Sequence, residues 1–200
     1  MLPLESRARP IDKGPELRTQ CPRKEAGFKS GEGLEYCLAV HAEQNAVISA
    51  ARLGIRVKGC VMFISGAPPC KSCASIMINA GIKIVYYVAD TENYDEIAIK
   101  IFHQGQITVY QLKFDAETGL WYVPVYTYLE KKDIPLANKL THNIKLCEVI
   151  AQKSRCMSRK VGAVIVSDDC IVSSGYNGNA RGVVHCDVRT YGLPNNKEDK

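Results

Sequence analysis

The residues His41-Ala42-Glu43, followed after one helix-like and one strand-like stretch by Pro69-Cys70-Lys71-Ser72-Cys73, constrain this chain more than any other feature. One imidazole and two thiolates are three ligands of the kind that hold a tetrahedral divalent metal and leave a fourth position for water. A chain using them this way must bring the starts of two helices to one point. Glu43 lies two residues past the His, so at a helix N-terminus both side chains can face one cavity, where a carboxylate relays a proton between water and a ring nitrogen. Cys70 and Cys73, three apart, fall on one face of a first helical turn, where the helix dipole and a metal both favour thiolate over thiol.

Each motif alone has a plainer reading. A His beside a Glu is a common surface helix start, and a lone C-x-x-C is a redox pair or half of a structural zinc knuckle. In this order, with a strand over Val57 to Ser65 between them, each supplies what the other lacks. H-x-E followed by P-C-x-x-C is the signature of zinc-dependent nucleobase deaminases, in which the Glu is a proton shuttle and not a ligand.

Two hundred residues with 46% hydrophobic and 24% charged content suit a folded domain with a sizeable core. The net charge of +5 suits an anionic nucleotide but falls short of the dense basic stripe of a dedicated nucleic-acid binder. Nine cysteines would suggest disulfides in a secreted chain, yet no stretch reads as a signal peptide or a membrane span. The cysteines are therefore expected to be metal ligands in a reducing cytoplasm.

Residues 1 to about 35 lack periodicity and read as a long loop. Ala42 to Leu53 reads as a helix with Ala46, Val47, Ala50 and Ala51 on one side and Gly54 as its stop. After the strand and the Gly66-Ala67-Pro68-Pro69 turn, a second helix is expected from Cys70 to Asn79, ending at Gly81. Ile82 to Val88 reads as a strand, about Tyr94 to Phe102 as a helix, and Ile107 to Lys113 and Leu120 to Leu129 as strands around Glu117-Thr118-Gly119, with Pro124 confining the second to an edge. Glu130 to Pro135 leads into a helix carrying Leu140, Ile144, Cys147 and Ala151, then a hairpin of Val161 to Val166 and Ile171 to Ser174 turns at Asp168-Asp169. Helices alternating with buried strands imply an α/β sandwich with a mixed sheet.

Two segments resemble the two halves of deoxycytidylate (dCMP) deaminases. Ser154-Arg155-Cys156-Met157-Ser158-Arg159-Lys160-Val161-Gly162-Ala163 through Gly175-Tyr176-Asn177-Gly178 is similar to the opening half, and His41 through Gly81-Ile82-Lys83 to the closing half. In the family the first precedes the second, so the chain resembles a circularly permuted member. Residues 1–114 correspond to the closing half, 115–137 to a connecting segment and 138–200 to the opening half, together one domain over 1–200. Pairing of the halves within one chain is favoured over a swap between copies. The Gly66-Ala67-Pro68-Pro69 loop is one residue longer than the family's Thr-x-x-Pro-Cys pattern.

The resemblance implies a cytidine deaminase-like three-layer α/β/α sandwich with a mixed central sheet. It implies a catalytic zinc on His41, Cys70 and Cys73, and Glu43 as the catalytic proton shuttle. Asn45, Asn177 and Tyr94 are implied near the base or sugar and Arg52 near the phosphate, although an arginine at a helix end is also a common solvated cation. Cys21, Cys37, Cys156 and Cys186 match positions that hold a second, structural zinc in some members, with His185 able to replace one. Cys60, Cys147 and Cys170 are expected to be merely small buried residues. The implied activity converts dCMP to dUMP and ammonia in dTTP-precursor synthesis. The implied assembly is a homo-hexamer regulated by dCTP or dTTP with Mg²⁺. The rivals are an editing deaminase acting on tRNA or single-stranded DNA, which needs stacking aromatics in a basic groove, and a non-catalytic deaminase-like binding protein, which has no need of Glu43.

Overall fold

The fold is described from a computed structural model, over residues 21–28, 33, 37, 39–89, 95–124, 134–181, 183, 185 and 187. Its elements are α1 (Pro22–Glu25), β1 (Ala39–Val40), α2 (Ala42–Arg52), β2 (Val61–Ser65), α3 (Lys71–Ala80), β3 (Ile84–Val88), α4 (Glu96–Gln104), β4 (Thr108–Gln111), β5 (Lys113–Asp115), β6 (Leu120–Tyr122), α5 (Ile134–Ala151), β7 (Gly162–Ser167), β8 (Cys170–Tyr176) and β9 (Gly178–Asn179). The main sheet runs β4-β3-β2-β7-β8. β2, β3 and β4 are parallel, and β7 and β8 are antiparallel to their neighbours. The sheet is mixed, and it joins early and late sequence in one chain.

Two cores flank it. On one face Met62, Ile64, Val85 and Ile165 pack against Ala42, Ala46 and Ala50 of α2, Met77 of α3 and Phe102 of α4. On the other, Phe63, Val164 and Val166 pack against Leu140, Ile144 and Cys147 of α5, with Trp121 of β6 at the margin. These are the three layers of an α/β/α sandwich, and alternation along each strand feeds both cores. Full burial of Met62, Ile64, Met77, Leu140 and Ile144 contributes roughly 1.5–3 kcal/mol each.

Two glycines set how closely the layers meet. A Cβ on Gly175 of β8 would lie 2.3 Å from the Ala46 amide nitrogen and 2.4 Å from the Ala42 carbonyl oxygen. One on Gly162 of β7 would lie 2.0 Å from the Cys147 carbonyl on the opposite face. The row Ala42, Ala46, Ala50 completes the fit of α2, and Ser173 Oγ donates to the Ala46 carbonyl at 2.7 Å.

Several sequence expectations need adjustment. α1 is a single helical turn inside the stretch expected to be a loop. Ala51 is exposed, because the buried row of α2 falls one residue earlier at Ala50. The strand expected over Ile107 to Lys113 breaks at buried Leu112, and Lys113–Asp115 instead forms a small hairpin with Leu120–Tyr122. Cys170 is exposed, not buried: it follows the two-residue turn Asp168-Asp169, whose φ values of 47° and 64° suit a tight hairpin.

Candidate metal centre

His41 is the N-cap of α2, with φ −70° and ψ 156°, so its side chain projects from the helix start; its amide donates to Gln44 Oε1 at 3.4 Å. Cys70 caps α3 in the same way, and Cys73 lies in the first turn. α3 begins where β2 ends, the sheet edge at which open α/β folds place ligands. Asp95 Oδ2 accepts from the Lys71 amide at 2.7 Å and Oδ1 from Ala98 at 3.2 Å, tying the starts of α3 and α4 together.

His41 Nδ1 lies 3.4 Å from Cys70 Sγ and 3.3 Å from Cys73 Sγ, and the three donor atoms lie within 4.8 Å of one another. Two ligands at tetrahedral angles on zinc, with Zn–S near 2.3 Å and Zn–N near 2.05 Å, stand about 3.6 Å apart. The donor set and its spacing therefore fit zinc, which His41 would hold through Nδ1. Glu43 is 3% exposed and, with His41, lines a cavity of about 100 Å³.

The electrostatics agree. A hydrogen bond from the Cys73 thiol draws the Cys70 pKa down to about 4, and the same bond pushes Cys73 up. The two sulfurs thus share one proton, which a divalent cation would displace. The Cys70 sulfur raises His41 above its usual range, while burial pushes the Glu43 carboxyl up against the pull of His41. A carboxyl held up by burial is suited to take and return a proton.

The other expected site residues are placed differently from one another. Asn45 Nδ2 donates to the Tyr176 carbonyl at 2.8 Å, holding α2 to β8. Asn177 lines the cavity, but both its side-chain polar atoms are bonded to backbone. Arg52 is exposed at the far end of α2, about 16 Å along the helix from His41 at 1.5 Å per residue, and the cavity is not lined by it. Tyr94 and Cys186 lie outside the described residues. Cys37 and Cys156 line the cavity and Cys21 is buried, yet among the described residues His41, Cys70 and Cys73 are the one group of three close enough to share a metal. The expected second zinc site on Cys21, Cys37, Cys156 and Cys186 includes one ligand, Cys186, outside the described residues. Sequence reading missed two cavity cations, Arg23 and Arg159. Arg159 sits in the quoted Ser-Arg-Lys-Val-Gly segment, so the signal was present without a role attached.

Residues 16–89 match the family model for the cytidine and deoxycytidylate deaminase zinc-binding region. The matched stretch contains all three donors and Glu43. The chain is 34% identical over 76 residues to ComE operon protein 2 of Bacillus subtilis, covering 38% of this chain and 39% of that protein. It is 33% identical over 97 residues to the deoxycytidylate deaminase of Saccharomyces cerevisiae, covering 48% and 30%, and 46% identical over 44 residues to that of Enterobacteria phage T2, covering 22% and 23%. The chain thus spans less than half the length of each of these relatives. A solved dCMP deaminase from cyanophage S-TIM5, in complex with dCMP and dUMP, is 30% identical over 36% of this chain and 51% of that one, with a TM-score of 0.31. Among the described residues, no helix is long and apolar enough to cross a membrane.

Proposed function

We propose that this chain is a zinc-dependent hydrolytic deaminase acting on a cytosine nucleotide, converting dCMP to dUMP and ammonia. The observation that carries this reading is the convergence of His41 Nδ1, Cys70 Sγ and Cys73 Sγ beside the buried carboxyl of Glu43. Relatives named deoxycytidylate deaminase support the choice of dCMP within the wider cytosine class.

His41, Cys70 and Cys73 would hold the metal, which when bound supplies the Lewis acidity that brings the pKa of water toward neutrality. The reaction forms a C–O bond at C4 of cytosine and breaks the C4–N bond to the exocyclic amine. Glu43 accepts a proton from the attacking water and delivers it to N3. It then moves the second water proton to the departing nitrogen, so that water is consumed and ammonia leaves. Ala67, Pro68 and Val161 give the cavity an apolar wall beside the carboxyl of Glu43.

The chain order is part of the proposal. The family match ends at residue 89, while β7 and β8, which complete the sheet beside β2, come from 162–176. We read this as a circular permutation of one deaminase domain over 1–200. A chain with 138–200 moved ahead of 1–114 should then fold and hold zinc. A cytoplasmic homo-hexamer answering to dCTP or dTTP with Mg²⁺ belongs to the same proposal, tested by the mass of the assembly and by rates with each effector.

The direct test is turnover of dCMP, dCTP, deoxycytidine and CMP by zinc-loaded protein, with Glu43→Gln alongside. Rates equal in wild type and Glu43→Gln, or no turnover of any cytosine compound, would overturn the reading. Deamination of oligonucleotides in preference to dCMP would transfer the chain to the editing class.

A further inference from the structure

We propose that Asp95 is a positioning residue of the metal centre: its carboxylate takes the first amide of α3 and thereby fixes the sulfurs of Cys70 and Cys73 relative to His41. This rests on the reading of His41, Cys70 and Cys73 as metal ligands and assigns a residue that stands behind two of them.

The need for such a residue follows from the ligand set. The first four amides of a helix have no partner within it, and the N-cap side chain ordinarily accepts from one of them. In α3 the N-cap is Cys70, whose side chain makes no capping hydrogen bond. Its sulfur stands 3.4 Å from His41 Nδ1, among the donors that would hold the metal. The start of α3 therefore depends on an acceptor from another element. Asp95 Oδ2 supplies it, accepting from the amide of Lys71 at 2.7 Å, a length typical of a charge-assisted bond. A carboxylate at this end of the helix is also favoured by the helix dipole.

Asp95 is bound to its own helix as well. It is the N-cap of α4, and its Oδ1 accepts from the Ala98 amide at 3.2 Å. One carboxylate thus serves two helix starts, with one oxygen for each. The amide it holds on α3 lies between the two sulfur ligands, since Lys71 directly follows Cys70 and Cys73 is two residues further on. α4 is itself anchored, because Ala98 and Phe102 are buried in the core that includes Cys70 and Cys73. Through Asp95 the start of α3 is tied to that second helix as well as to α2. A residue of this kind leaves the ligands chemically unchanged and acts on where they stand.

The experiment measures zinc affinity by chelator competition, and Tm of the metal-free full chain, for wild type, Asp95→Ser and Asp95→Ala. A serine hydroxyl can still cap α4, but with one oxygen on a shorter side chain it does not also serve α3; alanine does neither. Metal-free Tm should fall in Asp95→Ala and largely recover in Asp95→Ser, because it follows the α4 cap. Zinc affinity should fall by about 10- to 100-fold in both, the range for losing a residue that orients metal ligands from behind. The loss should persist in about 1 M salt, where an exposed charge acting at a distance is screened. Zinc affinity that recovers with Tm in Asp95→Ser would make Asp95 an α4 cap only and overturn the proposal. So would a loss that disappears in high salt, which assigns the effect to charge and not to position. Should Asp95→Ala fail to fold, Asp95→Ser alone decides, its affinity being either lowered or as in wild type. These results leave the metal centre standing. Wild-type protein that takes up no zinc overturns the metal centre itself, and this proposal with it.

Discussion

Replacing Gly175 by Ala adds one methyl group and should cost the metal centre more than the sheet. That methyl would sit 2.3 Å from the Ala46 nitrogen, 2.4 Å from the Ala42 oxygen and 2.8 Å from the Asn45 carbonyl carbon, all backbone of α2. Ordinary contact begins near 3.5 Å, so α2 must retreat by about 1 Å. α2 carries His41 and Glu43, whereas Cys70 and Cys73 ride on α3, which packs on α2 but is also anchored by its bond to Asp95 and its packing on α4. Metal–ligand distances tolerate only about 0.2 Å, so a retreat of this size detaches one donor from the other two. Overpacking of this kind costs about 3 kcal/mol, or roughly 6–12 °C in Tm for a domain of this length. Gly162→Ala provides the comparison, since its clash is with α5 on the opposite face. Both variants should melt early, but chelator competition should show zinc affinity falling by about 100-fold in Gly175→Ala and remaining near wild type in folded Gly162→Ala. Gly175→Ala protein with full zinc content, unchanged competition and an unshifted Tm would refute the reasoning.

Glu43→Gln keeps the volume of a side chain whose charged form burial disfavours, so Tm and zinc content should hold while turnover falls by about 10²–10⁴-fold, checked by calorimetry and by loss of dCMP absorbance. Zinc affinity should rise with pH: Cys70, drawn down to about 4, is already thiolate at neutrality, but Cys73 and His41 are raised and must release protons before they can bind. Between pH 6 and 8 the apparent affinity should climb by about one to two decades per unit, and a flat profile in chelator competition would contradict the assignment of both groups as ligands. Native thiol labelling at pH 8 should modify exposed Cys170 quickly and spare Cys147, which is fully buried, pushed up to about 12 and bonded to the Phe63 carbonyl at 3.3 Å; mass spectrometry of the labelled peptides decides it.

What the sequence revealed and what it hid divide along a physical line. The candidate metal-binding residues could be read because each pair is local: His41 and Glu43 occupy one helix start, and Cys70 and Cys73 one helical turn. The hairpin at Asp168-Asp169 and the buried stripe Leu140, Ile144, Cys147, Ala151 were legible for the same reason, since a turn or a helical period needs no information from afar. The break at Leu112 was not, because an apolar residue in a strand-like run gives no sign that its burial lies in the α5-side core and not along the sheet edge. Nor was the exposure of Cys170, which depends on where the hairpin meets solvent. The arginines show the limit most clearly. The resemblance implies Arg52 near the phosphate, and at 1.5 Å per residue Arg52 stands about 16 Å along α2 from His41, exposed and outside the lining of this cavity. Arg159 lines the cavity, and its carbonyl accepts a hydrogen bond from Asn177 Nδ2, a residue 18 positions away on the far side of a β-hairpin. Side chains fixed by such long-range backbone clamps leave no periodic trace, so in this chain they emerge only when the strands have been paired.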